Sequence, residues 1–258
     1  MDLYGKFLSM QVKSQLEYRK SFIMMLVGQG LGALASFVGI MVLFNRFHSV
    51  AGYTLPEVLI SFVVSWSSFS IAESFARGFD RFSLLMGNGT FDRILLRPRG
   101  TILQILGQTI DLSRLGRLIQ AAIIFVWVIG TSPIEWTFLR ALTLVNMVIG
   151  GIFVFTALFL IGAGVTFFTT EGLEVLNIFT DGGREFGTYP MSVYGEGALR
   201  FFTFVVPIAV FQTYSLRYLF RPDAPVWLVF LPLATALFYL PAYTVWRWGR
   251  RRYASTGS

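Results

Sequence analysis

Few side chains in this 258-residue sequence are suited to acid–base or metal chemistry. The chain has no cysteine and a single histidine, His48, which excludes thiol catalysis, zinc–thiolate sites and His-pair metal sites. No Ser/His/Asp set and no pair of carboxylates stands at a spacing that favours catalysis. The sequence therefore predicts a protein that is not an enzyme and that holds no cofactor of its own.

Charged residues within or beside apolar segments are the candidates for function, because a charge is costly to bury in a bilayer. Glu73 is followed one helical turn later by Arg77, which favours an interfacial ion pair, and Asp111 with Arg114 is similarly predicted to be a structural pair. A polar stretch at 171–189 is different. If it crosses the membrane, its charges must face a wet cavity or a subunit interface; otherwise they form a solvated loop. They are Glu171, Glu174, Asp181, Arg184 and Glu185.

Composition places the chain in a lipid bilayer. Hydrophobic residues make up 55% of it and charged residues only 14%, whereas a soluble domain carries about 25% charged residues. A soluble protein of this length could not bury so much apolar surface. The net charge of +7 does not indicate nucleic acid as a partner, because the basic residues stand between apolar spans. The sequence predicts an all-α integral membrane protein, a single transmembrane domain over residues 1–258.

Six transmembrane helices are predicted, since about 20 apolar residues cross the hydrocarbon core. The position of the fifth is open. It is either 201–216, interrupted by Pro207, or the polar stretch 171–189, in which case 190–221 is a re-entrant or surface-lying pair of short helices. In the first span, Gly28 and Gly32 form a GxxxG pattern that permits close helix packing. The five spans other than the fifth are predicted at 21–45, at 58–76, as one continuous helix over 102–129, as a helix within 141–170, and at 226–246.

Basic residues set the predicted orientation. Most of the 21 lysines and arginines lie in residues 1–20, the loop 77–100, the start of the third span and the tail 247–258. Because positive loops stay inside, both termini are predicted to be cytoplasmic. Residues 1–20 are expected to form an amphipathic helix at that face.

The loop 77–100 predicts two further short amphipathic helices at the cytoplasmic face. Gly87-Asn88-Gly89 separates them, Thr90 is a candidate cap for the second, and Pro98 ends it. Their role is either anchoring among lipid headgroups or docking into a groove of a cytoplasmic partner. The apolar faces consist of Phe79, Phe82 and Leu85 or Met86 in the first helix, and Phe91, Ile94 and Leu95 in the second.

Two stretches resemble bacterial ATP-binding-cassette exporter permeases of the ABC-2 type. FDRILLRPRG, directly after the second span, is similar to the cytoplasmic loop of that family. EFGTYPMSVYGEGALRFFTFVVPIAVFQTYSLRYLF is similar to the family's segment before the last span, although residues 210–215 depart from the family's Phe-rich, Pro-containing run. The likeness in layout covers the whole chain and points to permeases with six spans and no nucleotide-binding domain.

The resemblance implies a multi-pass permease of the bacterial cell membrane, paired with a second permease, identical or homologous. It implies a separate ATPase in two copies, which holds ATP and Mg²⁺, and a substrate path along the permease interface lined by the first, second and fifth spans. The chain contains no Walker motif of its own. The implied ATPase-coupling residues are Phe79, Phe82, Phe91, Asp92, Arg93, Ile94, Leu95 and Leu96, and the candidate path residues are Glu73, Glu171, Glu174, Asp181 and Arg184.

Two other classes stay open. A proton-coupled secondary transporter commonly shows inverted repeats, and no repeat is visible here. A membrane-embedded enzyme for lipid substrates would need Glu73 or Asp181 as its base. An ATPase gene beside this one would separate the exporter from both.

Overall fold

The computed structural model describes residues 3–169 and 173–253, and within them every regular element is helical. The predicted all-α fold is confirmed for these residues. Short 3-10 helices lie at Leu112–Arg114, Met191–Tyr194, Val226–Val229 and Leu231–Phe238. The α-helices are α1 (Leu3–Glu17), α2 (Arg19–Arg46), α3 (Leu55–Asp80), α4 (Phe82–Gly87), α5 (Thr90–Leu95), α6 (Thr101–Gln108), α7 (Leu115–Thr131), α8 (Phe138–Val165), α9 (Leu173–Phe186), α10 (Glu196–Phe204), α11 (Ile208–Phe211), α12 (Thr213–Phe220) and α13 (Tyr239–Arg251).

Four helical stretches are long and apolar enough to cross a membrane. They are Arg19–Arg46, Leu55–Gly87, Leu112–Thr131 and Phe138–Val165. A fifth candidate is the pair formed by α10 with the stretch Ile208–Phe220, which is bent by 91°. Length and composition alone therefore account for four spans within the described residues, or five if the bent pair is one span.

Helix α3 is the centre of the bundle. Its start is fixed by a capping box, in which the backbone N–H and hydroxyl of Thr54 donate to the Glu57 carboxylate at 2.7 and 2.8 Å. It packs between α7 and α8 and is buried along most of its length. A Cβ added at Gly151 of α8 would lie 2.3 Å from the Ser68 hydroxyl, so only glycine permits this approach.

The predicted third span is not one continuous helix. Helix α6 ends at Gln108, Thr109 is extended, and a new helical start follows Asp111. The Asp111 carboxylate accepts hydrogen bonds from the backbone N–H and hydroxyl of Ser113 at 3.1 and 2.6 Å, as a cap does. Gln15 of α1 adds a hydrogen bond to the Leu112 N–H at 3.0 Å. The prediction of an unbroken helix over 102–129 was wrong because a local cap outweighs apolar continuity.

The predicted last span, 226–246, also begins differently. It enters as two 3-10 helices before α13, and Pro232 stands in the first turn of the second of them. Proline has no N–H to donate. A Cβ added at Gly150 would lie 2.5 Å from the Pro232 carbonyl oxygen, and Thr235 donates to the Gly150 carbonyl at 2.9 Å. Contact with α8 thus fixes the position of the 3-10 helices that precede α13.

Both ends of the described chain lie at the same end of the bundle. At the amino end, Gln11 of α1 donates to the Gln108 carbonyl of α6 at 3.0 Å. At the carboxyl end, the Tyr253 hydroxyl donates to the Asp92 carboxylate of α5 at 2.9 Å. An even number of crossings requires this arrangement. The membrane side that this end faces stays a prediction.

The segment from α9 to α12 packs against the half of α3 nearer Leu55. The indole N–H of Trp66 donates to the Thr188 hydroxyl at 3.3 Å, just after α9. Ser192 shares a 2.7 Å hydrogen bond with Tyr53, which stands just before α3 at the far end of the bundle. Helix α10 then folds back, with Phe202 5.7 Å from Phe186 of α9. The pair is bent as Pro207 predicts, and its assignment as a broken span or as a re-entrant loop stays a prediction.

Candidate functional site

Two short helices, α4 and α5, are mounted on the end of the bundle by an aromatic cluster. The cluster consists of Phe82, Phe91, Phe167, Trp246 and Tyr253. The Phe82 and Phe91 rings meet edge to face at 5.0 Å, Phe82 lies 5.2 Å from Trp246, and Phe91 lies 5.0 Å from Tyr253. Such pairs each add about 0.5–1.5 kcal/mol beyond their buried area. The loop is therefore joined to α13 and to the end of α8.

The break between α4 and α5 lies where the sequence predicts it. Gly89 has φ +67°, a left-handed conformation that glycine adopts without penalty. The proposed cap is corrected, because Thr90 is already the first residue of α5 and its N–H is held by the Asn88 side chain at 3.1 Å. The Thr90 hydroxyl instead accepts from Arg93 at 3.2 Å.

The predicted ATPase-coupling residues divide into three groups. Phe79, Phe82, Phe91 and Ile94 are buried in the chain's own core and offer no surface to a partner. Asp92 binds Tyr253, and Arg93 binds Thr90. The apolar surface that remains open consists of Leu95, 41% exposed, and Leu96, 85% exposed, together with Leu84, 64% exposed.

Leu84 was missed by the sequence analysis, although its signal was present. It follows Phe82 by two residues and so lies on another face of α4 than the buried phenylalanine. The set Leu84, Leu95 and Leu96 is hereafter the leucine surface. It lies at the end of the bundle that carries α1 and Tyr253.

Helices α3 and α6 hold the loop rigidly from the other side. A Cβ on Gly78 of α3 would lie 1.9 Å from the Ile105 carbonyl oxygen of α6, so the two backbones are in contact. The buried Gln104 amide donates to the Ile94 carbonyl at 3.3 Å and the Arg99 carbonyl at 3.0 Å. Hydrogen bonds therefore link α5 to α6, and α6 is in backbone contact with α3.

A buried charge cluster joins α3 to α7. The Glu73 carboxylate binds Arg77 through one oxygen and Arg117 through the other, and the Arg114 Nε lies 3.3 Å from the first oxygen. Glu73 and Arg117 are almost fully buried. The expected Glu73–Arg77 pair is present, but the role of Arg117 was missed. A lone arginine in the apolar run 115–131 was the available signal, since such a charge requires a partner.

This cluster leaves Glu73 no free oxygen with which to act as a base. A general base must reach the proton that it abstracts, and here three guanidinium groups occupy the carboxylate. Asp111 extends the cluster through Arg114 at 3.2 Å. Burial acts to raise the pKa of Asp111, but hydrogen bonds from Ser113 and the charge of Arg114 outweigh it, so that pKa is lowered. The cluster links α3 to α7 and to the residues that precede α7.

Among the candidate path residues, Arg184 of α9 contacts aromatic residues of α3. Its guanidinium lies 4.5 Å from the centre of the Trp66 ring and 4.9 Å from that of Phe69. It also pairs with Asp181 at 3.3 Å and Glu185 at 2.7 Å, whose side chains are half-exposed or more. Glu171 lies outside the described residues, and the side chain of Glu174 is also outside them.

Helix α2 contributes little to the core. Only Ala33 and Ile40 of this helix are buried. A Cβ added at Gly28, Gly32 or Gly39 would meet nothing within 4 Å, so residues 3–169 and 173–253 do not pack against these three glycines.

Comparison with known proteins gives one match. A family model described as "ABC-2 family transporter protein" matches residues 31–257. No curated protein and no solved structure matches the chain. Within residues 3–169 and 173–253, no group of three or more His, Cys, Asp or Glu side chains comes together to hold a metal ion.

Proposed function

We propose that this chain, which belongs to the ABC-2 family of transporter proteins, is the membrane permease subunit of a bacterial exporter driven by a separate ATPase. The observation that carries the proposal is the leucine surface. Leu84 of α4, Leu95 of α5 and Leu96, which directly follows α5, are exposed, whereas buried aromatic residues anchor both helices. Exposed apolar side chains on helices that are packed firmly against the bundle are typical of a docking site. ATP and Mg²⁺ would be held by the partner.

In the proposed topology the chain crosses the membrane of the cell six times, with both termini in the cytoplasm. Helix α9 and the residues up to Tyr194 make the fifth crossing, and α10 to α12 form a re-entrant pair on the outer side. The Tyr53–Ser192 hydrogen bond supports this, because it brings the end of the segment to the end of the bundle opposite Tyr253. The basic residues of the loop and tail support the orientation.

The ATPase would contact the leucine surface, with help from α1. Closure of the ATPase pair on ATP would push α4 and α5, and the push has two rigid routes into the bundle. One runs through Phe82 and Phe91 to Trp246 of α13, and the other through Gln104 of α6 to the contact at Gly78. In this proposal the exposed leucines contact the ATPase, and the buried phenylalanines pass its movement on to the bundle.

A second permease, identical or homologous, would pack on α2. The exposed face with Gly28 and Gly32 suits close helix contact, and it has no partner inside the described chain. Substrate would pass between the two permeases, beside the exposed carboxylates of Asp181 and Glu185 on α9. In this proposal Glu73, which is bound to three arginines, links α3 to α7 and does not contact the substrate.

The proposal is tested by the variant Leu96→Asp in cells that carry the transport genes. Leu96 is 85% exposed, so the protein should insert and fold, while a charge on the leucine surface should abolish ATPase binding. The matched control is Asn88→Asp, which adds the same charge to the same loop, keeps the side-chain acceptor for the Thr90 N–H and removes no apolar contact. Normal transport by Leu96→Asp would contradict the docking role.

A further inference from the structure

An apolar groove of about 530 Å³ opens on the side of the bundle between α3, α6, α8 and α13. Aromatic and aliphatic side chains line it, among them Phe75, Phe79, Leu106, Leu160, Leu240 and Tyr243. The hydroxyls of Thr156 and Tyr239 also reach its wall, and they are hydrogen-bonded to each other. The groove is of the size of ligand-binding pockets, and its walls suit a hydrocarbon chain.

The groove faces outward rather than into the core. Leu240 is 67% exposed and Tyr243 is 49% exposed. Both stand on a helix that packs against α8 and ends at the same end of the bundle as the leucine surface. A molecule in the groove would therefore enter sideways from the bilayer.

One end of the groove is basic. Leu240, Tyr243, Arg247 and Arg250 follow one another at spacings of three or four residues, and Arg251 stands four residues after Arg247, which places them on one face of α13. Arg250 reaches across to α6 and donates to the Thr101 hydroxyl at 3.4 Å, next to the groove residue Ile102. In the described part of the chain, no hydrogen bond or ion pair engages the guanidinium of Arg247.

We propose that this groove is a binding site for an anionic phospholipid, with one acyl chain between α6 and α13 and the phosphate held by Arg247 and Arg250. An arginine fork binds phosphate oxygens with charge-assisted hydrogen bonds. Basic pockets between membrane helices select anionic headgroups in the same way. This proposal rests on the proposed function in one respect only: the proposed topology places the lipid in the cytoplasmic leaflet.

The groove is connected through α6 to the loop that carries α4 and α5. Helix α6 forms one wall through Ile102 and Leu106, and its Gln104 binds the Ile94 carbonyl of α5. A lipid that fills the space between α6 and α13 would hold α5 and α13 at a fixed separation. Lipid binding would therefore restrict the movement of the helices that carry the leucine surface.

The test is native mass spectrometry of the purified, delipidated full chain, titrated with phosphatidylglycerol and with phosphatidylcholine of the same acyl chains. We expect tighter binding of phosphatidylglycerol, with about a fivefold loss for each of Arg247→Gln and Arg250→Gln and no change for phosphatidylcholine. Arg247→Lys should retain most of the preference, since it keeps the charge. Equal binding of the two lipids by the wild-type chain would overturn the proposal.

Two further variants locate the lipid. Arg221→Gln removes an equally exposed arginine that lines a cavity with Tyr53 at the opposite end of the bundle, so it should leave the preference intact. Leu240→Trp should fill the mouth of the groove and weaken both lipids. If Arg221→Gln acts like Arg247→Gln, or if Leu240→Trp has no effect, the site is not this groove. No ATPase is present, so the result is independent of the exporter proposal.

Discussion

Arg117 of α7 binds the carboxylate of Glu73 of α3 across 44 residues of sequence, and both side chains are almost fully buried. Arg77 and Arg114 bind the same carboxylate. One acid therefore compensates part of the charge of three arginines from two membrane helices. The joint fixes α7 to α3 just where α3 leads into the loop that carries α4 and α5.

Loss of the acid should be severe. Glu73→Gln leaves Arg117 buried without a counter-charge, and breaking a buried pair in this way lowers the free energy of unfolding by about 3–5 kcal/mol. The thermal unfolding midpoint in a mild detergent measures it. Glu196→Gln is the matched control, because the Glu196–Arg200 pair has side chains 84% and 77% exposed and should contribute nothing measurable. Equal midpoints for the two variants would show that Glu73 is not a structural joint.

A second change should repair part of this damage. In Glu73→Gln/Arg117→Met the unpaired guanidinium is gone, so the double variant should be more stable than Glu73→Gln alone. The same unfolding experiment reads it out. Simple addition of the two single losses would contradict a direct interaction.

Substitutions of the buried aromatic residues and of the exposed leucines of the loop should have different effects on stability. Phe91→Ala removes a fully buried ring and should destabilise the chain by about 3–5 kcal/mol, whereas Leu96→Ala removes an exposed side chain and should leave stability unchanged. Limited proteolysis at the loop, together with the unfolding midpoint, distinguishes them. If Phe91→Ala is as stable as Leu96→Ala, the loop is not anchored by the aromatic cluster.

The contact between α3 and α6 should not tolerate a methyl group. In Gly78→Ala the new Cβ would lie 1.9 Å from the backbone oxygen of Ile105, so the two helices must separate. We expect lower stability and weaker coupling of ATP hydrolysis to transport. Gly87→Ala is the control, because its Cβ meets nothing within 4 Å. Wild-type behaviour of Gly78→Ala would mean that α6 moves freely relative to α3.

The face of α2 should matter for pairing and not for folding. Gly28→Leu has open space inside the chain and should unfold like the wild type, but it should weaken association of two permeases. Cross-linking in membranes measures the association. Gly130→Leu, equally open at the end of α7, is the control. Unchanged pairing in Gly28→Leu would remove α2 from the interface.

Much of this architecture follows from local sequence. The first span, expected at 21–45, is Arg19–Arg46, and the Glu73–Arg77 pair and the break at Gly89 follow from spacing and glycine alone. Features that depend on distant partners do not. Whether Phe91 faces a partner or its own bundle is decided by Phe167, Trp246 and Tyr253, and the same limit hid the bond between Arg117 and Glu73.

The bent pair is a middle case. Pro207 predicts an interruption, and the sequence leaves open which segment crosses the membrane. The position of this segment against α3 depends on contacts at a separation of more than 100 residues, such as Tyr53 with Ser192 and Trp66 with Thr188. No local pattern encodes those.

The most direct test of the central claim is purification of the tagged chain from its native membranes in mild detergent, with identification of the proteins that accompany it. We expect an ATP-binding-cassette ATPase in stoichiometric amount, present with the wild type and with Asn88→Asp, and absent with Leu96→Asp. A chain that purifies alone or as a bare oligomer, under conditions that preserve known complexes, would contradict the claim that it is the permease subunit of an ATPase-driven exporter.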